Sequence, residues 1–394
     1  MATRLASRVT TLAESATLAV AAKAARMRAE GVDVINFSVG EPDFDTPDYV
    51  KEAGLEAIRA GDTKYAKPAS GTPVVKRAIC DKLRRENGLD YAPEQIIVTA
   101  GGKMAVYLAV HTLIDPGDEV LIPVPYWVSY PEIVKLAGGI PIFLRGDKSR
   151  DYKLTPEDVL PGITERTKMF IFNSPSNPSG ATYSTDEIGA LADVLCQHDL
   201  IVLSDEIYDR LIYGDRKTCS YAATGKAAYA QTITLNGGSK TYAMTGWRIG
   251  YMAGPVDLIK AMAKLQSQST SGAATFTQTA LAAALDGDPA VVAAMRDEFE
   301  RRGKHMCRRL NAIPGVTCAQ PDGAFYCFPD VSGVFGKLGA DGSAAFAEKL
   351  ITDAGCAVVP GIAFGLDEHI RLSYALSMEQ IDKGLDRIEA LLTE

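Results

Sequence analysis

The sequence predicts an α/β protein in which a mostly parallel sheet, covered by helices on both faces, is followed by a smaller α+β part. Short apolar runs separated by helix-length segments predict the first part, because strands buried on both faces are hydrophobic throughout rather than alternating. The chain changes character after Gly287, where a long helix (289–313) leads into a few more short strands. The 394 residues suffice for about two or three domains.

The individual elements follow from local signals. Predicted strands of the first part are 96–99, 119–123, 168–172, 200–203, 232–235 and 249–253, and those of the second lie near 325–328, 357–359 and 370–373. A helix is expected from Ser15 to Glu30. Residues 46–48 (Thr-Pro-Asp) predict the next helix start, with a capping residue, proline at the first position and an acid in the first turn. Ser184 and Ser377 each precede Glu or Gln by three residues, and these capping boxes open two further helices.

Composition excludes several classes of protein. The net charge is -8, from 41 basic and 49 acidic residues. The sequence contains no run of basic residues of the kind that indicates nucleic-acid binding. Seven cysteines without a Cys-x-x-Cys pair favour reduced thiols in the cytoplasm, and the four scattered histidines argue against a metal site. The N-terminus lacks signal-peptide features, and no stretch approaches the roughly 18 apolar residues of a membrane span.

The most informative segment is Leu-Asn-Gly-Gly-Ser-Lys-Thr-Tyr-Ala-Met-Thr-Gly-Trp-Arg, residues 235–248. Lys240 can form a Schiff base with an aldehyde, and Arg248, eight positions later, can hold a phosphate. Pyridoxal phosphate (PLP) carries both groups. A lone lysine in such a loop is more often a solvated surface residue, so the interpretation depends on the other motifs.

Three further motifs follow predicted strands, where ligands bind in α/β sheets. Asp205 ends the run Leu-Ile-Val-Leu-Ser-Asp, and a carboxylate there can pair with a protonated ring nitrogen or simply cap the loop. Asn177 lies in the turn Asn-Ser-Pro-Ser-Asn-Pro-Ser-Gly. Gly101 and Gly102 join a strand to a helix, so backbone N–H groups can face a phosphate, although many such turns bind nothing.

Two aromatic residues and an arginine have weaker signals when taken alone. Trp127, in Pro-Tyr-Trp-Val-Ser-Tyr, can stack on a pyridine ring or belong to the core. Tyr65, after Lys64, reads as a loop aromatic. Arg371, in His-Ile-Arg-Leu-Ser-Tyr, reads as an exposed strand arginine unless it binds a carboxylate bidentately.

Together these segments resemble fold-type I PLP-dependent enzymes, specifically class I aminotransferases of the aspartate aminotransferase group in its prokaryotic-type subgroup. The resemblance runs from about residue 13 to 392, with one mild departure, since Ser179 replaces the family's threonine in Asn-Pro-Thr-Gly. It implies an N-terminal arm that is partly in the small domain (1–46), a large PLP-binding domain with a seven-stranded, mostly parallel sheet (47–288), and a small α+β domain (289–394).

The resemblance also implies a role for each motif. Lys240 would hold PLP as a Schiff base and move the substrate proton, Asp205 would pair with the pyridine nitrogen, and Arg371 would grip the substrate α-carboxylate. The remaining implied contacts are Gly40 beside that carboxylate, Asn177 and Tyr208 at the ring oxygen, Trp127 stacked on the ring, Gly101, Gly102, Lys103 and Arg248 at the phosphate, and Tyr65 reaching the phosphate of a neighbouring subunit; Asn177 and Trp127 would also touch substrate.

The substrate expectation depends on two polar residues. No arginine lies between Ile249 and Met295 to bind a distal carboxylate, as in some aspartate aminotransferases. Thr17 and Lys103 instead resemble positions that bind acidic side chains in the prokaryotic-type subgroup. From the residues alone, Thr17 could merely begin a helix and Lys103 could be solvated.

The activity implied is ping-pong transamination in a homodimer with shared active sites. Aspartate and glutamate are the expected donors, 2-oxoglutarate and oxaloacetate the acceptors, and prephenate an additional acceptor. Two alternatives stay open: a PLP-dependent carbon–sulfur lyase of the same fold, and a non-catalytic PLP-binding regulator, which the lack of a DNA-binding extension disfavours.

Overall fold

The computed structural model describes residues 4–217 and 219–393, so the ends of the predicted segments 1–46 and 289–394 lie partly outside the described residues. The helices are α1 (Ser7–Thr10), α2 (Ala16–Ala29), α3 (Asp48–Arg59), α4 (Pro73–Asn87), α5 (Gly102–Leu113), α6 (Ser129–Leu136), α7 (Pro156–Val159), α8 (Thr185–Leu195), α9 (Lys226–Gln231), α10 (Val256–Ser267), α11 (Thr275–Asp286), α12 (Pro289–Asn311), α13 (Ser343–Asp353) and α14 (Met378–Thr393). The strands are β1 (Ile35–Asn36), β2 (Ile96–Thr99), β3 (Glu119–Val124), β4 (Ile140–Arg145), β5 (Thr167–Asn173), β6 (Ile201–Asp205), β7 (Thr232–Gly237), β8 (Gly250–Ala253), β9 (Tyr326–Cys327), β10 (Cys356–Ala357), β11 (Val359–Pro360) and β12 (Ile370–Ser373).

A seven-stranded sheet forms the centre of the molecule, in the order β2-β8-β7-β6-β5-β3-β4. Its pairs are parallel except those of β8, which runs antiparallel to both β2 and β7. Successive side chains of β2 pack on opposite faces of the sheet. Ile96 and Val98 belong to the hydrophobic cluster that includes residues of α4, and Ile97 belongs to the cluster that includes residues of α5. The predicted two-faced, mostly parallel sheet is therefore confirmed.

The sheet contains one strand, β4, that was not among the six strands predicted from the apolar runs. It lies at the sheet edge and, among the described strands, pairs with β3 alone. Pro141 lies within it, and Ile140 and Phe143 are exposed. Proline and a partly exposed face are typical of an edge strand and remove the signal of a buried apolar run.

The C-terminal part contains the predicted long helix, α12, and the three-stranded sheet β11-β12-β9. Near the N-terminus, Ile35 of β1 pairs in parallel with Cys356 of β10, so residues far apart in the chain pack together here. The domain limits 1–46, 47–288 and 289–394 stay a prediction.

Helix starts agree with the predicted caps, with one difference. Ser184 and Glu187 form the capping box of α8. At α3, however, Pro47 is the capping residue rather than the first helical one, and the Thr46 hydroxyl donates to the Ala243 carbonyl oxygen (2.7 Å) instead of capping the helix. Within the described part of the chain, no helix is both long and apolar enough to cross a membrane.

Candidate functional site

A cavity of about 480 Å³ opens beside the C-terminal ends of β5, β6 and β7. This is the edge of a parallel sheet where loops bring side chains from several strands together. Most residues predicted for the site line it: Thr17, Gly40, Gly102, Lys103, Trp127, Asn177, Asp205, Tyr208, Lys240, Arg248 and Arg371.

Lys240 lies in the loop after β7, with its ammonium group inside this cavity. The Nζ atom donates to the Gly40 carbonyl oxygen and lies 5.8 Å from the centre of the Phe325 ring. Burial, with smaller contributions from Arg371 and Arg248, lowers the pKa of Lys240 to about 8. Because its ordinary value is 10.5, this amine is neutral in a much larger fraction of molecules at physiological pH, as a nucleophile or a base requires.

Asp205 ends β6 and is only 6% exposed. Its Oδ2 atom accepts a hydrogen bond from the Tyr130 hydroxyl (2.6 Å), and Oδ1 accepts one from the Ile207 amide (3.2 Å). Burial raises the pKa of Asp205 to about 6, while these two hydrogen bonds and Lys240 act in the opposite direction. Among the described residues Asp205 has no ion-pair partner, and a buried unpaired carboxylate is costly, so this group is suited to meeting a cation supplied by a ligand.

Tyr208 and Asn177 extend this wall of the cavity. The Tyr208 hydroxyl forms a hydrogen bond with the Tyr326 hydroxyl (2.9 Å), and burial raises the pKa of Tyr208 well above its ordinary value. The backbone N–H of Asn177 donates a hydrogen bond to the Asn173 Oδ1 (3.0 Å), which fixes the turn after β5. The Tyr208 hydroxyl and the Asn177 side chain, whose Oδ1 accepts from Arg371 (2.9 Å), therefore lie at fixed positions at the cavity.

Gly101 and Gly102 lie at the N-terminus of α5, where backbone N–H groups have no partner within the helix. Gly101 has a φ of 87°, and a Cβ atom there would overlap the Arg248 guanidinium. Lys103 lies 5.2 Å from the Trp127 ring, and its pKa is lowered by burial and by Arg248. The contacts of Arg248 are carbonyl oxygens of Thr245 (2.8 Å) and Ala100 (3.5 Å) rather than carboxylates, so two cations and a helix N-terminus are available to an anion.

Arg371 is 2% exposed, so the alternative of an exposed strand arginine is wrong. Its Nη1 donates to the Asn177 Oδ1 (2.9 Å) and its Nη2 to the Ser38 carbonyl oxygen (2.8 Å), while Nε has no partner among the described residues. The guanidinium lies 4.6 Å from the Tyr326 ring centre, and burial lowers its pKa. Neutral partners leave a buried positive charge unbalanced, which is the electrostatic requirement for binding a carboxylate.

The structure does not bring Tyr65 into the cavity of its own chain. This side chain is 81% exposed and lies in the loop after α3. The loop itself is held firmly, because the Thr275 hydroxyl donates to the carbonyl oxygens of Asp62 (2.7 Å) and Lys64 (3.2 Å), and the Gln266 side chain to that of Ala69 (3.0 Å).

Among the cavity residues that were not predicted, three have phenol or carboxylate side chains: Tyr130, Tyr326 and Glu41. Tyr130 lies only three positions after Trp127, at the start of α6, and this closeness in sequence to a predicted site residue was a usable signal. Tyr326 lies in an apolar strand that predicts only core. The Glu41 carboxylate accepts from the Thr245 hydroxyl (2.7 Å), a contact between segments about 200 positions apart that no local pattern reveals.

This arrangement fits a ligand with an aldehyde, a phosphate and a basic ring nitrogen. Lys240 is a partly neutral amine, the start of α5 and Arg248 form an anion site, and Asp205 is a buried carboxylate. Arg371 lies on the other wall, beside Asn177. The cavity can thus bind a phosphorylated aldehyde and a carboxylate-bearing molecule side by side.

Comparisons with known proteins agree with this geometry. The family described as aminotransferase class I and II matches residues 32–388. An aspartate/prephenate aminotransferase from Cereibacter sphaeroides is 48% identical over 95% of both chains. Among solved structures, the aspartate aminotransferase from Rhizobium meliloti superposes with a TM-score of 0.95 at 42% identity over 99% of both chains. The Thermus thermophilus aspartate aminotransferase with maleate gives 0.93 at 43% identity, over 99% of this chain and 100% of the other.

Proposed function

The chain belongs to the class I and II aminotransferase family, and from this we propose that it transfers amino groups between acidic amino acids and 2-oxo acids with the help of PLP. Its activity as a transaminase and its fold, that of the fold-type I enzymes, are confirmed by relatives and structures that match nearly the whole chain. The substrates, the cofactor and the roles of individual residues are proposals. The observation that carries them is the presence of Lys240, Asp205 and Arg371 in one cavity.

Lys240, Asp205 and the turn at Gly101 would hold the cofactor. Lys240 would bind its aldehyde carbon, Asp205 its ring nitrogen, and Gly101, Gly102 and Arg248 its phosphate, with Trp127 on the ring and Asn177 and Tyr208 at the ring oxygen. PLP supplies a carbonyl group that exchanges with the substrate amine and a ring that withdraws electron density from the substrate Cα. Asp205 favours that withdrawal by staying ionised next to the ring nitrogen.

The protein's own groups orient the substrate and move its proton. Arg371 would bind the α-carboxylate bidentately, next to the backbone of Gly40, and so fix the direction of the Cα–H bond. Lys240, neutral when its substrate is bound, would take the proton from Cα and return it one position away on the cofactor. A pKa of about 8 suits both steps, since the amine can accept and release a proton near neutral pH.

The preference for acidic substrates rests on Thr17 and Lys103, which line the cavity on the side of α2 and α5. The lowered pKa of Lys103 reflects burial and the neighbouring Arg248, so an incoming carboxylate would relieve an unfavourable charge arrangement. Maleate, present in the Thermus thermophilus structure, is a small dicarboxylate of the kind such a pair would bind. Aspartate and glutamate are therefore the proposed donors, with 2-oxoglutarate or oxaloacetate as acceptors and prephenate as an additional acceptor.

A panel of amino acids, each mixed with the enzyme and 2-oxoglutarate, tests the reaction. We expect one glutamate for each donor converted, with aspartate as the best donor. Pyruvate and ammonia formed without an acceptor would indicate a lyase, and no turnover would indicate a regulator; either result contradicts the proposal.

Lys103→Met tests the substrate preference. We expect activity with dicarboxylates to fall about tenfold or more relative to activity with alanine or aromatic amino acids, because the substitution removes a charge opposite the distal carboxylate. The exposed Lys260 on α10 provides a matched control, and Lys260→Met should leave the ratio unchanged. An equal loss with all substrates would mean that Lys103 serves the cofactor or the fold.

We also propose a cytoplasmic homodimer with shared active sites. All seven cysteines are free thiols, as is usual in a reducing compartment. Tyr65 projects from a firmly held loop away from its own cavity, which suits a residue that reaches the phosphate site of a partner subunit.

A further inference from the structure

Tyr130 is the strongest hydrogen-bond donor to Asp205. It lies on α6 and is 2% exposed, and its hydroxyl is 2.6 Å from Asp205 Oδ2, whereas the Ile207 amide is 3.2 Å from Oδ1. The edge-on ring of Trp127, 5.2 Å away at 85°, and the hydrogen bond from the Tyr130 amide to the Trp127 carbonyl oxygen hold the phenol in place. The segment that leads into α6 thus carries both a cavity wall, Trp127, and the donor to the buried carboxylate, Tyr130.

The surroundings of Asp205 make this donor important. The titratable groups that face the carboxylate are Tyr130 on α6, Tyr208 on the loop after β6 and Lys240 on the loop after β7. Neither tyrosine carries a charge, because burial raises the pKa of both phenols well above the ordinary value. Among the groups that lower the pKa of Asp205, the Tyr130 hydroxyl contributes most, ahead of the Ile207 amide and the charge of Lys240.

We propose that Tyr130 is a positioning residue that keeps Asp205 ionised and its Oδ atoms oriented toward the cofactor's ring nitrogen. This inference rests on the proposed function, in which Asp205 meets that nitrogen. A hydrogen bond to a charged group stabilises the charged form more than a bond between neutral groups does. Without the phenol hydroxyl, Oδ2 would lose its only donor among the described residues, and the carboxylate would take up a proton more readily.

The test measures cofactor affinity rather than turnover. The cofactor-free, full-length protein is titrated with PLP and with a carbocyclic analogue in which carbon replaces the ring nitrogen, across a range of pH, and binding is followed by tryptophan fluorescence. The variants are Tyr130→Phe, Asp205→Asn and their combination. Tyr183→Phe is the matched control, because Tyr183 is a buried phenol whose hydroxyl accepts from the Leu154 amide (2.7 Å) and has no contact with Asp205.

For Tyr130→Phe we expect PLP affinity near neutral pH to fall about tenfold to a hundredfold, with little change for the analogue. The pH below which PLP affinity is lost should move upward by about one unit, because Asp205 is protonated earlier. In the Asp205→Asn background the same substitution should have no further effect. Tyr183→Phe should change neither ligand's affinity nor the pH profile.

Equal losses for PLP and the analogue, or an unchanged pH profile, would overturn the role of Tyr130. If Tyr130→Phe does not fold, Tyr130→Leu removes the hydroxyl with a smaller apolar side chain, and an unaltered PLP affinity profile or a loss shared by the analogue would count against the proposal in the same way. If Asp205→Asn binds both ligands as the wild type does, the proposed role of Asp205 fails. A loss with Asp205→Asn but none with Tyr130→Phe refutes only the inference about Tyr130.

Discussion

Replacing Asp205 with asparagine should make the cofactor-free protein more stable while it removes most of the turnover. Burial raises the pKa of Asp205 from 3.8 to about 6, so the folded protein holds this proton more tightly than the unfolded chain does. Stability therefore falls as pH rises from about 4 to about 6, and the whole cost is present above that window. The side chain is kept charged in a place that disfavours charge.

The magnitude follows from the two pKa values. At 1.36 kcal/mol per pKa unit, the shift corresponds to roughly 3 kcal/mol at about pH 7.5 and to only about 1 kcal/mol at about pH 4.5. Asp205→Asn removes the charge and retains an oxygen that can accept from Tyr130. The substitution should thus stabilise the cofactor-free protein by up to about 3 kcal/mol at the higher pH and by clearly less at the lower one.

Denaturant unfolding of the cofactor-free protein, followed by tryptophan fluorescence at both pH values and one protein concentration, measures this difference. The control is Asp193→Asn, on the exposed face of α8, which should change stability by no more than about 0.5 kcal/mol at either pH. A stability gain that is equal at both pH values, or a loss at the higher pH, would refute the reasoning about the buried charge.

Three further predictions concern the other parts of the site. Lys240→Ala should bind PLP without a covalent bond and lose turnover, and in the wild type the rate of covalent attachment should rise with pH and level off above about 8; a borohydride-reduced adduct on another residue would contradict this. Arg371→Lys should raise KM about tenfold or more for every α-carboxylate substrate in steady-state assays, and an unchanged KM would exclude a bidentate grip. Mixing Lys240→Ala with Tyr65→Ala chains should restore part of the activity in hybrid dimers, whereas a fully active monomer on dilution would rule out shared sites.

Local patterns predicted most of the large sheet. Strand β2 was predicted to the residue, and the strands that end at Asn173, Asp205 and Gly237 within one or two residues. These strands are buried on both faces, so their apolar runs are continuous and easily recognised. Strand β4 was missed because an edge strand with a proline and exposed side chains has no such run.

For the site, the sequence determined the chemical groups and the tertiary structure decided their environment. A glycine-rich loop and a strand end, which are encoded locally, singled out Lys240 and Asp205, whereas Arg371 was singled out by the resemblance of its segment to the family. The partners of these groups are not local: the Arg371 guanidinium donates to Ser38, 333 positions away, and Tyr130 is 75 positions from Asp205. The burial that lowers the pKa of Lys240 and raises that of Asp205 arises only when the chain closes around the cavity, since desolvation depends on every neighbouring segment at once.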